Sequence, residues 1–300
     1  MMSIYPNLFI PGAAKSGTSS LHDLLDCHPD ICMSVVKEPV FWNSPSFNNA
    51  KRMAWYSSLF TDPDAKILGE STTSYMYYPE FIATVRKQFK HTPSFIFILR
   101  NPIDRCYSHY WYMKGRKQEV RSFKDSVLED LNSTFENYGN LPNNYYHFGL
   151  YGKWIKRFYE AFGSSQIKII TLEQLATDRV ATMNDCFHFL GLSSLNELPD
   201  IKSNATKKLK YPKLFHFINK TATGKYRYTK IAKYLISRQR IDGIKKRLKN
   251  MSLFKGGNPI TYPELSEKDR IWLRSLYLED VKLLKELTKT DYFEWTDFNS

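Results

Sequence analysis

Cysteine is scarce in this sequence, with only Cys27, Cys32, Cys106 and Cys186 among 300 residues. None forms a C-x-x-C pair, and no histidine cluster accompanies them. A disulfide framework is not expected, nor is a metal site, and the thiols are read as reduced and buried in a reducing compartment. Long apolar runs are missing too, since none approaches the about 18 residues that a membrane span requires. The first residues carry no basic n-region, and a glycine loop already begins at Gly12. No signal peptide is therefore expected, and a cytoplasmic protein follows by default. Internal repeats and low-complexity tracts are absent as well.

Apolar residues, in contrast, make up 42% of the chain, enough for a full core without disulfides. The length suits one large domain or two small ones, and a single domain over residues 1–300 is expected. Aromatic content is high at 15%, with 20 Tyr and 20 Phe. Trp42, Trp55-Tyr56, Tyr75 to Tyr78 and Tyr145-Tyr146 could shape a ligand pocket or could belong to the core. The formal net charge is +13, and one segment holds all of the excess. Between Lys202 and Lys255 stand 17 Lys/Arg and one acid, Asp242, while the remainder carries 26 basic and 29 acidic residues. Such a basic zone points to an anionic ligand, a nucleic acid or a membrane surface.

Strands and helices alternate along the chain. Asn7 to Ile10 reads as a buried strand, followed by a loop to Gly17 and a helix over Thr18 to Leu25. Lys66 to Glu70 reads as a second strand. Ser94 to Leu99 (SFIFIL) is apolar on both faces, as a central parallel strand should be. Pro102 then opens a helix to about Met113. Gln166 to Thr171 is a further strand, with a helix over Thr182 to Leu190 after it. This order predicts an α/β fold with a central parallel sheet flanked by helices. Residues 203–257 are read as a basic flap or helical region. Pro263 to Thr288 is read as a final amphipathic helix with Leu273, Leu276, Leu283 and Leu284 on its buried stripe.

Two loops carry the chemistry. Gly12 to Ser20 (GAAKSGTSS) lies between a strand and a helix. Small residues let backbone amides approach an anion, and the helix N-terminus adds free N–H groups and partial positive charge. Lys15 places a full charge in the loop; Ser16 and Gly17 complete it; Thr18 and Ser19 can donate hydroxyls. In a nucleotide-triphosphatase loop the Lys follows the second Gly and a Ser/Thr holds Mg²⁺. Here Lys15 precedes Gly17, and the strand FIFIL ends in Arg100 rather than a metal-holding Asp. That set suits a dianion handled without Mg²⁺; the bland alternative is an ordinary glycine turn. The second loop follows the central strand. Arg100 stands at the strand's carboxyl end, where open α/β sheets bind ligands, and Ser108 lies about two helical turns on. Together they could grip a second phosphate, or Arg100 could pair locally with Asp104.

These motifs resemble those of the PAPS-dependent sulfotransferases (PAPS being 3′-phosphoadenosine 5′-phosphosulfate), above all the heparan-sulfate and bacterial carbohydrate branch. Gly12 to Ser20 resembles the family's 5′-phosphosulfate loop, and Arg100 to Ser108 its 3′-phosphate motif. Lys37-Glu38-Pro39-Val40-Phe41-Trp42 is similar to a K-E-x-x-F-F segment, and Leu68-Gly69-Glu70-Ser71 with Tyr75 to a G-E-x-S/T-P-x-Y segment. Gly149-Leu150-Tyr151 with Trp154, and Leu172-Glu173-Gln174-Leu175, resemble its G-x-Y and E-x-L spacing. Thr206 to Pro212 is similar to the basic loop that closes over the nucleotide. Two departures stand out: a Lys that some members carry after Gly-Glu is replaced by Ser71-Thr72-Thr73, and a cysteine pair bracing the basic loop is missing.

The resemblance implies a nucleotide-kinase-like P-loop fold and in-line transfer of a sulfuryl group from PAPS to a hydroxyl or amine of a carbohydrate or small metabolite. It implies Lys15 as the group that stabilises the leaving phosphate, and Glu38 as the base, with Glu70 in reserve. The bland reading of Glu38 is an ion pair with Lys37 or a helix cap. Lys207, Lys208, Lys210 and Tyr211 would clamp the phosphates and stack on adenine. His109, in an aromatic helix, is read as structural. A P-loop kinase-like phosphotransferase and a basic nucleic-acid-binding protein are the rival readings. Neither a metal nor a nucleic-acid partner is expected.

Overall fold

The computed structural model describes residues 3–43, 45–133, 143–199 and 262–299. They fall into two compact units: residues 3–109, 127–199 and 265–299 form one, and 110–126 with 262–264 belong to the other. The expected basic flap at 203–257 lies outside the described residues.

The first unit is built on five parallel strands. They are β1 (Leu8–Ile10), β2 (Ile31–Met33), β3 (Ile67–Ser71), β4 (Ser94–Leu99) and β5 (Ile167–Thr171). Their order across the sheet is β2-β3-β1-β4-β5. The chain first builds to one side of β1, then crosses to β4 and β5 on the other. The carboxyl ends of β1 and β4 thus flank the point where the winding reverses, the usual ligand crevice of such sheets.

Strand β4 shows how the sequence makes two faces. It alternates Phe and Ile, and strand side chains alternate with a period of two. Ile96 and Ile98 join Leu8 and Ile10 on an aliphatic face, covered by α1 (Thr18–Leu25) and α8 (Arg179–Phe189). Phe95 and Phe97 join Phe9 on an aromatic face. That face meets Phe81 of α3 (Pro79–Gln88) and Phe158 of α6 (Tyr151–Phe162). Each such side chain contributes about 1.5–3 kcal/mol on burial, so both layers hold the sheet.

Strand β2, α2 (Ala50–Ser57), α3, α6 and the short α7 (Leu172–Thr177) were not expected as elements. Helix α7 begins with a capping box between Thr171 and Gln174. The last helix, α9 (Glu267–Thr288), starts four residues later than expected. Its buried stripe is Leu273, Tyr277, Val281 and Leu284. Leu276 and Leu283 are only half buried, because the 3.6-residue period carries Tyr277 and Val281 inward instead. Asp280 of α9 accepts backbone N–H bonds from Gly152 and Lys153, each 2.8 Å, at the start of α6. Burial raises its carboxyl to about 6.

Helix α4 (Pro102–Gly115) carries the chain from the first unit into the second, and α5 (Phe123–Leu131) carries it back. Within the second unit, Trp111 stacks on Tyr262 and the Tyr110 hydroxyl donates to the Arg121 carbonyl at 3.0 Å. Among the described residues no helix is long and apolar enough to cross a membrane. The cysteines are free, and three are buried; Cys27, expected to be buried, is exposed at the end of α1.

Candidate active site

The two anion loops leave neighbouring strands, and backbone bonds join them. Ala13 N donates to Ile98 O at 2.8 Å, and Ile98 N donates to Gly12 O at 3.0 Å. The first loop thereby continues the β1–β4 ladder and lies against the residue two positions before Arg100. Gly12 also packs on Met76, where a Cβ would lie 2.5 Å from the sulfur. Gly17, at φ +93°, is the N-cap of α1 and adopts a backbone that glycine accepts without cost. Lys15 sits at φ +69°, half buried.

This geometry leaves an anion-seeking surface. No side chain caps the first turn of α1, and no acid stands in it. Its free N–H groups and dipole therefore favour an incoming anion. Ser16 is fully buried and its Oγ makes no hydrogen bond. The Tyr151 hydroxyl lies beside it but donates to the Arg100 carbonyl at 2.9 Å. Thr18 is buried at the start of the helix, and Ser19 is half buried.

At the end of β4, Arg100 is half buried and its guanidinium has no partner among the described residues. The local pair with Asp104 is not formed. Asp104 instead binds Arg270 of α9 at 2.5 Å, and Arg270 also binds Asp297 at 2.6 Å. Asp297 holds the Asn101 side chain at 2.7 Å, and Asn101 Oδ1 accepts from Ile103 N at the start of α4. The acids around this motif are thus engaged elsewhere, which leaves Arg100 its charge. Ser108 is buried on α4, and no hydrogen bond engages its hydroxyl among the described residues. Lys207, Lys208, Lys210 and Tyr211 lie outside the described residues.

Glu38 lies in the loop after β2, at φ +59°. Its N–H donates to Ser71 O at 2.9 Å, which fastens it to the carboxyl end of β3. Thr73 donates to its carboxylate through N–H at 3.0 Å and Oγ1 at 3.0 Å. The ion pair with Lys37 is present at 3.2 Å, and the carboxylate is 37% exposed. It is fixed, ionisable and open to solvent, as a base requires.

Glu70, the reserve base, is fully buried. The hydroxyls of Tyr56, Thr72 and Tyr75 donate to it, Thr72 at 2.6 Å. Burial lifts its carboxyl to about 7. Tyr75 Oη also accepts from Phe41 N at 2.9 Å and Trp42 N at 3.0 Å. Glu70 therefore anchors the segment that follows Glu38, out of contact with solvent. His22, below the loop, meets Ser71 Oγ at 2.7 Å, and burial lowers its pKa.

Most of the aromatic candidates are core. Trp42, Tyr56, Tyr75, Tyr77 and Tyr145 are fully buried, with rings such as Tyr77 and Phe148 stacked at 3.7 Å. His109 is packed between Tyr145 and Phe148, as expected of a structural residue. Sequence reasoning missed Lys37 as a contact to the loop and Arg270 as the partner of Asp104. Lys37 was visible only as the neighbour of Glu38, and nothing local marked Arg270, 166 positions from Asp104. Among the described residues no cluster of three or more His, Cys, Asp or Glu could hold a metal ion.

Comparison with known proteins identifies the family. The family model described as "Sulfotransferase domain" matches residues 5–240. Carbohydrate sulfotransferase 15 of Homo sapiens is 26% identical over 251 residues, covering 64% of this chain and 45% of that protein. Heparan sulfate glucosamine 3-O-sulfotransferase 3A1 of Mus musculus is 28% identical over 205 residues, covering 67% of this chain and 50% of that protein. The chain thus spans about half the length of the curated relatives it matches. The crystal structure of a sulfotransferase from Alicyclobacillus acidocaldarius superimposes with a TM-score of 0.68. That likeness covers 98% of this chain and 99% of the other, at 25% identity.

Proposed function

Because the chain belongs to the sulfotransferase domain family, we propose that it transfers a sulfuryl group from PAPS to a hydroxyl or amine of a carbohydrate or small-metabolite acceptor. The observation that carries this reading is the pairing of two unspent anion grips at the carboxyl ends of β1 and β4. One is the uncapped α1 with the partnerless Ser16 hydroxyl; the other is Arg100. A nucleotide with phosphate at both its 3′ and 5′ ends fits such a pair.

The donor supplies an activated sulfur bonded to a phosphate leaving group. Lys15, Ser16, Gly17, Thr18 and Ser19 would hold its 5′ end. The Lys15 ammonium would meet the charge that grows on the departing phosphate. Arg100 and Ser108 would hold the 3′-phosphate. Lys207, Lys208, Lys210 and Tyr211 would close over the nucleotide. Glu38 would take the acceptor's proton, held for that task by Thr73. Lysine and arginine supply the charge compensation in this scheme, so catalysis would be independent of added metal. The carbohydrate acceptor rests on the relatives' names. A cytoplasmic location rests on the four free thiols.

The direct test is a transfer assay with ³⁵S-labelled PAPS against a panel of glycosaminoglycans, simple sugars and small alcohols and amines, with chelator present. Label transfer that persists in chelator supports the reading. No transfer from PAPS to any acceptor, together with no binding of adenosine 3′,5′-bisphosphate, overturns it.

A further inference from the structure

Lys37 stands where neither the loop nor the base alone accounts for it. Its Nζ is 3.2 Å from Thr18 Oγ1 and 3.2 Å from Glu38 Oε1. Thr18 opens α1 in the anion loop, and Glu38 is pinned on its far side by Thr73. Loop hydroxyl, ammonium and carboxylate therefore stand in a row. An ordinary surface pair with Glu38 would contribute at most about 1 kcal/mol and would not require the contact to Thr18. Lys37 is also no ordinary surface lysine: only 25% of its side chain is exposed.

The backbone is bent to hold this row. Both Glu38, at φ +59°, and Val40, at φ +52°, adopt the left-handed region. A non-glycine residue there costs on the order of 1–3 kcal/mol, and such strain gathers at working sites. The cost is met by fastening on both sides: Glu38 N to Ser71 O at 2.9 Å, and Val40 N to Thr72 Oγ1 at 3.4 Å. The charge of Lys37 also reaches inward, where it adds to burial in lowering the pKa of His22.

We propose that Lys37 contacts the sulfuryl group of the bound donor and keeps that contact in transit, as a further catalytic residue beside Lys15 and Glu38. This rests on the donor reading above. In the transfer, the bond between sulfur and the phosphate oxygen breaks, and its electron pair stays on that oxygen. A bond forms between sulfur and the acceptor oxygen, whose proton passes to Glu38. The sulfuryl oxygens remain negative while sulfur crosses from the loop towards the acceptor. Lys37 lies between those two places. It supplies positive charge at midpoint, while Lys15 serves the leaving phosphate.

The test compares two nucleotides that differ only in the sulfuryl group. Calorimetric titration of PAPS and of adenosine 3′,5′-bisphosphate is run on wild type, Lys37→Met and Lys37→Arg, with melting temperatures checked alongside. In Lys37→Met, PAPS affinity should fall about tenfold, the value of one charge-assisted hydrogen bond, with the bisphosphate changed less than about twofold. Lys37→Arg should recover most of the loss. Equal weakening of both nucleotides, or of neither, overturns the assignment while leaving the donor reading intact. A wild type that binds neither nucleotide overturns the donor reading, and this assignment with it.

Discussion

Glu38 and Glu70 stand at the same end of one sheet, in two regions that treat a carboxyl group oppositely. At the rim, Glu38 is met by an ammonium, a backbone N–H and a hydroxyl, and is 37% exposed. In the pit beside it, Glu70 is fully buried under three hydroxyls and is raised to about 7. Burial is the main cause of that rise, and the charge of Glu38 adds to it. A base must reach its substrate and be ionised when it acts. The rim leaves Glu38 open to solvent; the pit shuts Glu70 away and holds it protonated below about pH 7. The pit instead holds the rim in place, since Tyr75 links Glu70 to the backbone of Phe41 and Trp42. Two acids of one motif set thus divide into an exposed group and a buried one that supports it.

Substitution can break that division. Glu38→Gln should lower turnover about a hundredfold or more, the usual contribution of a general base, with donor affinity nearly unchanged. Steady-state kinetics beside nucleotide titration reads both quantities. Near-normal turnover would hand the base role elsewhere.

Glu70→Gln sharpens the same contrast through stability. The folded carboxyl, at about 7, lies above its ordinary value of 4.5, so the folded state binds the proton more tightly. The stability this gives is fully present below about 4.5 and is lost as pH rises through about 7. Glutamine stays neutral throughout. The variant should match wild type near pH 4.5 and exceed it by about 3 kcal/mol at pH 8, read by denaturant unfolding at both pH values. Its turnover should stay within about threefold of wild type. An equal gain or loss at both pH values would show that folding does not raise the Glu70 carboxyl above its ordinary value.

Tyr75→Phe removes the link between pit and rim. It strands the buried N–H groups of Phe41 and Trp42, which should cost about 2 kcal/mol in unfolding free energy. The smallest effect is expected from Thr73→Val, which removes one hydroxyl from Glu38 and keeps the backbone bond. A loss of about 1 kcal/mol, or several-fold in turnover without change in donor affinity, is expected there.

The sequence was most legible where one local pattern decided the outcome. SFIFIL, the glycine loop and Pro102 each announce their element, and β4 and α1 have the expected boundaries. Strand β2 is three residues long, too short for a periodic signal, and owes its form to pairing with β3. On α9, choosing leucines placed Leu273 and Leu284 correctly but missed Tyr277 and Val281, which occupy the other inward positions. At the site, residue types named the loop, Arg100 and Glu38. Long-range contacts decided the rest. Arg270 frees Arg100 by taking Asp104, and Tyr56 and Tyr75 seal Glu70; neither effect has a local signature.

The most direct measurement is calorimetric titration of adenosine 3′,5′-bisphosphate into wild type, Lys15→Ala and Arg100→Ala. Each lost cationic contact should weaken binding about tenfold or more, with melting temperatures held near wild type. Unchanged affinity in both variants would contradict the two-grip site.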